Sequence, residues 1–344
     1  IKIVEMKKRF PVFGSHMIFT LAALLGIMVW QGCASDGSEK SSATKGSEVE
    51  RKALPVVNKD SLYHYVARQV NFGPRYVNSE GHSACREWLS EKLRSFGWDV
   101  HLQDFEARAY TGELLKGTNI IASWNPDAAR RVLLCAHWDT RHIADYDPDL
   151  ERRDEPILGA DDGGSGVAVL LEIARLMPDL EVNSGVDIVL FDAEDYGNDE
   201  GNDSDSWGLG AQYWSKNFHK PGYSAEFGIL LDMVGSKGAR FPKEGISMQF
   251  AGQIVNKVWK TAKAMGYGHM FINDRDGYIT DDHVLVNMHA RIPTIDIINR
   301  RANQEFGVHW HTHMDDLNVI DKNTLRAVTK VVQRVVADFD EGIF

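Results

Sequence analysis

The sequence lacks an excess of positive charge. Its 344 residues include 38 Lys and Arg against 49 Asp and Glu, which gives a formal net charge of -11 at pH 7. The basic residues form no stripe beyond short runs such as those at 152–153 and 300–301. Because nucleic-acid binding depends on clustered Lys and Arg that neutralise phosphates, this charge balance argues against a nucleic-acid-binding protein.

Cysteine is also scarce, with three residues in the chain. Cys33 lies near the N-terminus, which leaves Cys85 and Cys135 in the rest of the sequence. Cys135 lies in an apolar run typical of a buried strand, which favours two unpaired, packed thiols. A disulfide between the two is the alternative in an oxidising compartment.

A long apolar run is missing from the N-terminal region. The apolar stretch at 17–30 is too short to span a bilayer comfortably, since a transmembrane helix needs about 20 residues. It follows the basic residues 7–9 and ends in Gln31-Gly32-Cys33. We therefore predict a lipoprotein-type signal segment over 1–33, with Cys33 as the lipidated first residue of the mature chain. An ordinary cleaved signal and a retained membrane anchor are the alternatives.

The segment after Cys33 differs in composition from the rest of the chain. Residues 34–50 are rich in Ser, Gly, Lys and Glu without an apolar period, which is typical of a flexible tether. We predict a tether over 34–58 and a single domain over 59–344. The chain as a whole is 43% hydrophobic and 25% charged, enough for a sizeable core. Together these features predict export to a bacterial periplasm, with the lipid on Cys33 as the only membrane contact.

The predicted domain alternates strand and helix patterns. Strands are predicted over 100–105, 119–123, 131–136, 186–191, 228–233 and 293–298. Helices are predicted over 62–70, 83–96, 166–177, 209–218, 253–265 and 323–339. The last four strands are apolar along their whole length, as in sheets covered on both faces. The order predicts an α/β fold with a mixed, mainly parallel central sheet flanked by helices on both faces.

Residue types that bind metals cluster after the predicted strands. They are His137, Asp162, Glu194, Asp195, Asp232 and His311. In a sheet of this kind ligands bind beyond the carboxyl ends of the strands, so we expect these side chains to converge. Imidazoles and carboxylates from separate strand ends are what a zinc site with an open position requires.

Each motif alone also has a simpler structural interpretation. The His-Trp-Asp sequence at 137–139 could form a capped turn, and the Asp pair at 161–162 could cap a helix. The His-rich loop at 309–313 could lie on the surface. The joint order of the motifs, rather than any one of them, indicates a functional site.

As an ordered set, the motifs resemble those of the zinc-dependent exopeptidase superfamily and, within it, of the animal-type glutaminyl cyclases and their bacterial relatives. The resemblance extends over nearly all of the predicted domain. It is carried by Phe72-Gly73-Pro74-Arg75, His137-Trp138-Asp139-Thr140-Arg141, Gly159-Ala160-Asp161-Asp162, Phe191-Asp192-Ala193-Glu194-Asp195, Leu231-Asp232, Asp281-Asp282-His283 and Trp310-His311-Thr312. It implies a catalytic domain that closes the N-terminal Gln of peptides or proteins into pyroglutamate and releases ammonia.

The resemblance implies one zinc ion, held by Asp162, Asp195 and His311. Vertebrate members carry Glu at the position of Asp195, but a shorter carboxylate still binds zinc. The aminopeptidases of the superfamily hold a second zinc ion, for which His137 and Asp232 are the candidate ligands beside Asp162. The ligand set therefore leaves a dizinc aminopeptidase open as the alternative activity.

The resemblance implies Glu194 as the residue that moves the proton, clustered with Asp232 and Asp282. Since packed carboxylates cannot all stay ionised, we expect the three to share at least one proton and to have raised pKa values. The motif at 281–283 matches cyclase positions and favours the cyclase over the aminopeptidase.

Aromatic residues are expected to shape the substrate pocket. Phe306 and Trp310 match the family's offsets before His311, which implies that they flank the Gln side chain. Trp207 is a third candidate, with a place in the core as an equal alternative. We expect Trp138 to serve packing, and we expect a monomer whose partners are peptides with N-terminal Gln.

Overall fold

The computed structural model describes residues 51–199 and 204–344. The predicted signal segment 1–33, with Cys33, and residues 34–50 of the predicted tether lie outside the described residues. The described helices are α1 (Lys59–Val70), α2 (Glu80–Ser95), α3 (Gly164–Leu180), α4 (Leu209–Lys216), α5 (Gly245–Ala264), α6 (Asp282–Leu285) and α7 (Lys322–Asp340). The strands are β1 (Asp99–Arg108), β2 (Leu114–Trp124), β3 (Arg131–His137), β4 (Gly185–Phe191), β5 (Gly228–Asp232), β6 (Phe241–Lys243), β7 (Phe271–Arg275) and β8 (Thr294–Ile298).

A six-stranded sheet forms the centre of the domain. Its order is β1-β2-β4-β3-β5-β8, and β6 pairs separately with β7. Strands β4, β3, β5 and β8 run parallel, whereas β1 pairs antiparallel with β2, and β2 antiparallel with β4. This mixed, mainly parallel sheet confirms the predicted fold class.

Both faces of the sheet are buried, as the apolar strands predicted. On β3, Val132 and Leu134 belong to the larger hydrophobic core, and Leu133 and Cys135 belong to a smaller core on the opposite face. Helices α1, α2, α3, α5 and α7 contribute to the larger core, and α4 contributes to the smaller one. The alternation along β3 follows from the two-residue period of a strand.

Capping residues set where the helices begin. The side chain of Asn58 accepts hydrogen bonds from two backbone N–H groups of α1, and Asp321 does the same for one N–H group of α7. Each cap satisfies donors that the first helical turn leaves free. Among the described helices, none has both the length and the apolar character needed to cross a membrane.

The stretch at 51–58, which the sequence assigned to the end of the tether, lies against the domain. Val57 is buried in the larger core. Gln333 of α7 donates a hydrogen bond to the Pro55 carbonyl, and the Asn58 backbone N–H donates to Glu172 of α3. These contacts show that the residues just ahead of α1 pack against the domain.

The predicted elements differ from the structure mainly at exposed ends. Strands β1 and β2 pair as far as Arg108 and Leu114, beyond the predicted segments. In the outer half of this hairpin exposed residues alternate with buried ones, so it lacks the continuous apolar signal of the central strands. The elements β6, β7 and α6 span three to five residues each, too few for a periodic pattern to identify.

The two cysteines of the domain are buried and unpaired, which confirms the prediction of packed thiols. Burial raises the pKa of the Cys85 thiol to about 12. Because the thiolate is the reactive form, Cys85 has low reactivity at neutral pH.

A glycine fixes the close approach of α3 to the sheet. A Cβ atom at Gly166 would overlap the backbone carbonyl of Leu231 in β5. We predict that Gly166→Ala lowers the free energy of unfolding by about 1–3 kcal/mol, because α3 or β5 must shift. The measurement is the urea midpoint of the variant.

Gly252→Ala in α5 is the matched control, because the nearest atom to its added Cβ is the flexible Met248 Cε at 3.5 Å. The higher helix propensity of Ala gives a neutral or stabilising effect of up to about 1 kcal/mol there. Equal midpoints for the two variants would contradict the packing account.

Candidate active site

The carboxyl ends of the central parallel strands carry most of the predicted site residues. His137 is the last residue of β3, and Asp232 is the last residue of β5. Glu194 and Asp195 follow shortly after β4. All four side chains are buried. They meet at one edge because parallel strands end on the same side of a sheet.

Two further predicted residues reach this edge from loops. Asp162 lies just before α3, and the intervening Gly163 has φ 83° and no room for a Cβ beside the Asp139 carbonyl. His311 lies in the loop between β8 and α7 and has φ 53°, in the left-handed region. For a residue with a Cβ this backbone costs of order 1–3 kcal/mol and persists only where the surroundings impose it. The structure therefore brings Asp162 and His311 to the strand ends through constrained loops.

Two buried carboxylates hold the backbone of the loops in place. Asp139 Oδ1 and Oδ2 accept hydrogen bonds from the backbone N–H groups of residues 194 and 195, at 3.1 and 3.2 Å. Asp315 Oδ1 and Oδ2 accept from the N–H groups of residues 161 and 162, at 2.8 and 3.0 Å. Because the loops are fixed through their backbones, the side chains of the predicted ligands remain available.

Asp162, Asp195 and His311 form a buried group suited to a metal ion. One ligand atom from each lies within 4.8 Å of the others. His311 Nε2 is 3.2 Å from Asp195 Oδ1 and 3.8 Å from Asp162 Oδ2. A zinc ion about 2.0–2.2 Å from each ligand atom would separate the atoms of a tetrahedron by roughly 3.5 Å. Neither oxygen of Asp195 accepts a hydrogen bond in the described part of the chain.

The electrostatic environment at this group favours a positive charge. Although burial lowers the pKa of His311, the nearby carboxylates of Asp195 and Asp145 raise it to about 9. The carboxylates thus stabilise a cation at this point. A divalent metal ion supplies that cation with better geometry than a proton does.

A second group of ligand atoms lies beside the first. His137 Nε2 is 3.1 Å from Asp162 Oδ1 and 3.2 Å from Asp232 Oδ1. Asp162 therefore directs Oδ1 toward His137 and Oδ2 toward His311, which is the arrangement of a bridging carboxylate. Although burial lowers the pKa of His137, hydrogen bonds to Asp139, Asp162 and Asp232 hold it well above its usual range. The structure thus brings together His137, Asp162 and Asp232, the candidate ligands of a second metal ion.

The carboxyl groups predicted for proton transfer influence one another. Burial raises the pKa of Glu194 well above its usual range, and the charges of Asp195, Asp281 and Asp282 raise it further. Burial and the charge of Asp281 do the same to Asp282, and burial and the charge of Asp162 to Asp232. These shifts agree in direction with the expected crowding of carboxyl groups. The sharing of at least one proton by the three stays a prediction.

The sequence analysis missed one member of this cluster. Asp296 lies in the middle of β8, where it is fully buried among Ile residues. Burial and the charge of Asp281 raise the pKa of Asp296 well above its usual range. A lone Asp in an apolar strand is a signal that could have been read, since an unpaired charge is rarely buried.

The predicted aromatic residues surround His311. The Trp310 ring stacks on the His311 ring at 3.8 Å between centroids, and Phe306 packs on Trp310 at 4.5 Å. The Trp207 ring lies nearly parallel to the His311 ring at 6.2 Å. Tyr146, which the sequence analysis missed, packs on Trp310 at 4.6 Å. These rings form apolar walls beside the candidate metal ligands.

Trp138 of the His-Trp-Asp motif lies away from these walls. It is fully buried, and its ring stacks on His82 at 4.3 Å between centroids. Its indole N–H donates to the Thr118 carbonyl at 3.2 Å. These contacts agree with the expected packing role.

Comparison with known proteins supports a metallopeptidase-like fold. Residues 119–336 match the model of peptidase family M28. The glutaminyl cyclase of Bacteroides thetaiotaomicron bound to N-acetylhistamine is 49% identical with a TM-score of 0.82, over 83% of this chain and 99% of that one. A Zn-dependent exopeptidase from Parabacteroides distasonis is 48% identical with a TM-score of 0.81, over 83% and 100% of the two chains.

A similarity to an animal protein points the same way. The glutaminyl-peptide cyclotransferase of Drosophila melanogaster is 25% identical over 295 residues, which is 77% of each chain. The resemblance inferred from the ordered motifs is thereby confirmed. The chain belongs to peptidase family M28, and its similarity to glutaminyl cyclases extends over most of its length.

Proposed function

We propose that this chain is a zinc-dependent glutaminyl-peptide cyclotransferase, which converts the N-terminal Gln of peptides to pyroglutamate with release of ammonia. One observation carries the proposal. The buried group of Asp162, Asp195 and His311 lies beside Glu194, whose pKa is raised by burial, and beside an apolar aromatic wall. The similarity to bacterial and animal glutaminyl cyclases supports the same reaction.

Asp162, Asp195 and His311 would hold one zinc ion, which supplies Lewis-acid polarisation of the side-chain amide oxygen of the substrate. Three protein ligands leave one position free for that oxygen. Glu194 accepts a proton as the α-amine forms a bond to the amide carbon. It then donates a proton to the amide nitrogen, so that the C–N bond breaks and ammonia leaves.

The protein contributes mainly orientation and exclusion of water. The attacking amine belongs to the substrate itself, so the reaction requires no water nucleophile. Phe306, Trp310 and Trp207 would flank the folded-back Gln side chain. The Trp310 indole N–H is a further candidate donor to the developing oxyanion. Asp232 and Asp282 would act with Glu194 as a buried reservoir for the transferred proton.

A dizinc aminopeptidase is the second candidate function. The arrangement of His137, Asp162 and Asp232 favours it, because Asp162 presents an oxygen to each half of the site. In that enzyme Glu194 would activate a hydroxide instead of the substrate amine. The motif at 281–283 and the aromatic pair Phe306 and Trp310 favour the cyclase.

We further propose that the protein is a monomer, exported to a bacterial periplasm and anchored by a lipid on Cys33. The basic and apolar residues ahead of Cys33 support the anchor. In cells labelled with a fatty acid, Cys33→Ser should lose the label and move from the membrane fraction to the soluble fraction. An unchanged label would refute the anchor, and a dimer in light scattering would refute the monomer.

The proposed reaction is tested with two peptides that differ in the first residue. We predict that a Gln-initiated peptide loses the mass of one ammonia, because its amide carbon is within reach of its own amine. A matched Leu-initiated peptide should stay intact. Mass spectrometry of both incubations reads out the difference, and release of the first residue from either peptide would identify an aminopeptidase instead.

The role of Glu194 is tested by Glu194→Gln, which keeps the size of the side chain and removes its proton exchange. We predict that turnover falls by roughly 10²–10⁴-fold while bound zinc stays unchanged. Glu106→Gln on β1 is the control, since Glu106 is exposed on a strand at the far edge of the sheet. Turnover of Glu194→Gln equal to that of the control would exclude the assigned role.

A further inference from the structure

Arg141 is buried beneath the candidate active site and joins several of its parts. Its side chain is 1% exposed. Nη1 donates to the backbone carbonyls of Asp195 and Gly197 at 3.0 and 2.9 Å. Nη2 and Nε donate to the two carboxylate oxygens of Asp145 at 2.8 and 3.3 Å. One guanidinium thus connects the loop after β3 with the loop that carries Asp195.

Asp145 in turn faces the imidazole of His311. Asp145 Oδ1 is 3.2 Å from His311 Nδ1, on the side of the ring opposite the Nε2 atom that faces Asp162 and Asp195. The neighbouring Tyr146 N–H donates to the His311 carbonyl at 3.2 Å. A carboxylate on the second ring nitrogen of a metal-binding His fixes its tautomer and orientation. Residues 145 and 146 therefore hold both the ring and the backbone of His311.

The same guanidinium contacts a wall of the substrate pocket. Arg141 Cζ lies 4.9 Å from the centroid of the Trp207 ring. The Trp207 ring also packs closely against Gly197, since a Cβ atom at Gly197 would overlap the Trp207 indole. Trp207 also lies nearly parallel to the His311 ring. A shift of Arg141 would therefore reach the pocket wall as well as two metal ligands.

We propose that Arg141 and Asp145 are positioning residues for the metal site: Asp145 orients His311 through Nδ1, and Arg141 fixes Asp145, the Asp195 loop and Trp207 in one arrangement. This inference rests on the zinc ligands of the proposed function and not on the identity of the reaction. Lys cannot replace Arg141 in this role, because only the planar guanidinium donates in several fixed directions at once.

The alternative is a purely structural role, in which the buried pair stabilises the fold without tuning the metal. A structural pair lowers the unfolding midpoint when it is broken but leaves the zinc affinity of the folded protein unchanged. A positioning pair changes that affinity even in a variant that is fully folded. Zinc affinity therefore separates the two roles, and it is measured without any substrate.

The test is competition for Zn²⁺ between a chelating dye and the purified protein, first stripped of metal. We predict that Asp145→Ala and Arg141→Lys each weaken zinc affinity by about 10–100-fold. Asp145→Asn should lose less than about 10-fold, because its amide oxygen keeps an acceptor facing Nδ1 of His311.

Asp338→Ala is the matched control. Asp338 pairs with Arg334 at the same spacing of four residues on α7, away from the site, and its side chain is more deeply buried than that of Asp145, at 3% against 23% exposed. Its zinc affinity should equal that of the wild type within about twofold, the precision of such a titration.

Three results would overturn the inference: wild-type affinity in Asp145→Ala, wild-type affinity in Arg141→Lys, or an equal loss in Asp338→Ala. If Asp145→Ala does not fold, Arg141→Lys decides alone. If the wild type itself binds no zinc, the proposed function and the positioning role both fail, whereas wild-type affinity in the variants of a zinc-binding wild type overturns the positioning role alone.

Discussion

The burial of many carboxyl groups at one edge of the sheet is the constraint on which the rest of the site depends. Glu194, Asp195, Asp232 and Asp282 are all at most 8% exposed, and an isolated buried charge is costly. Such groups are stable only if they hold protons, bind cations or accept hydrogen bonds. Different carboxyl groups at this edge depend on different ones of these three means.

This difference among the carboxyl groups explains how one edge can both bind a metal and move a proton. Asp139 and Asp315 accept backbone hydrogen bonds with both oxygens, so their oxygen atoms have partners and they hold the loops in place. Asp195 is left without such donors and faces His311, as a metal ligand requires. Burial and the charges of the neighbouring carboxylates oppose a negative charge on Glu194, so the pKa of Glu194 rises. In the proposed function, zinc binding and proton transfer would both follow from the burial of carboxyl groups at this edge.

Much of this arrangement could be predicted from the sequence. The apolar strands that end at His137 and Asp232 identified the sheet, and the polar residues after them identified its functional edge. Asp296 was missed because a single charged residue does not change the apolar pattern by which its strand was predicted. Arg141 ends the motif at 137–141, but the motif gave it no role. Asp145 follows in a polar segment that resembles a surface loop, and only the folded chain brings both residues under His311. In the outer part of the β1 and β2 hairpin, buried residues such as Phe105 and Leu115 alternate with exposed ones, so its apolar signal is weaker than that of the central strands.

The central claim is that one metal ion, and not two, lies at this edge. Anomalous scattering from crystals of the zinc-loaded protein, recorded on both sides of the zinc absorption edge, tests it directly. The account predicts one peak, bounded by Asp162, Asp195 and His311. A second peak about 3.5–4 Å away, between His137 and Asp232, would contradict the account and indicate a dinuclear hydrolase.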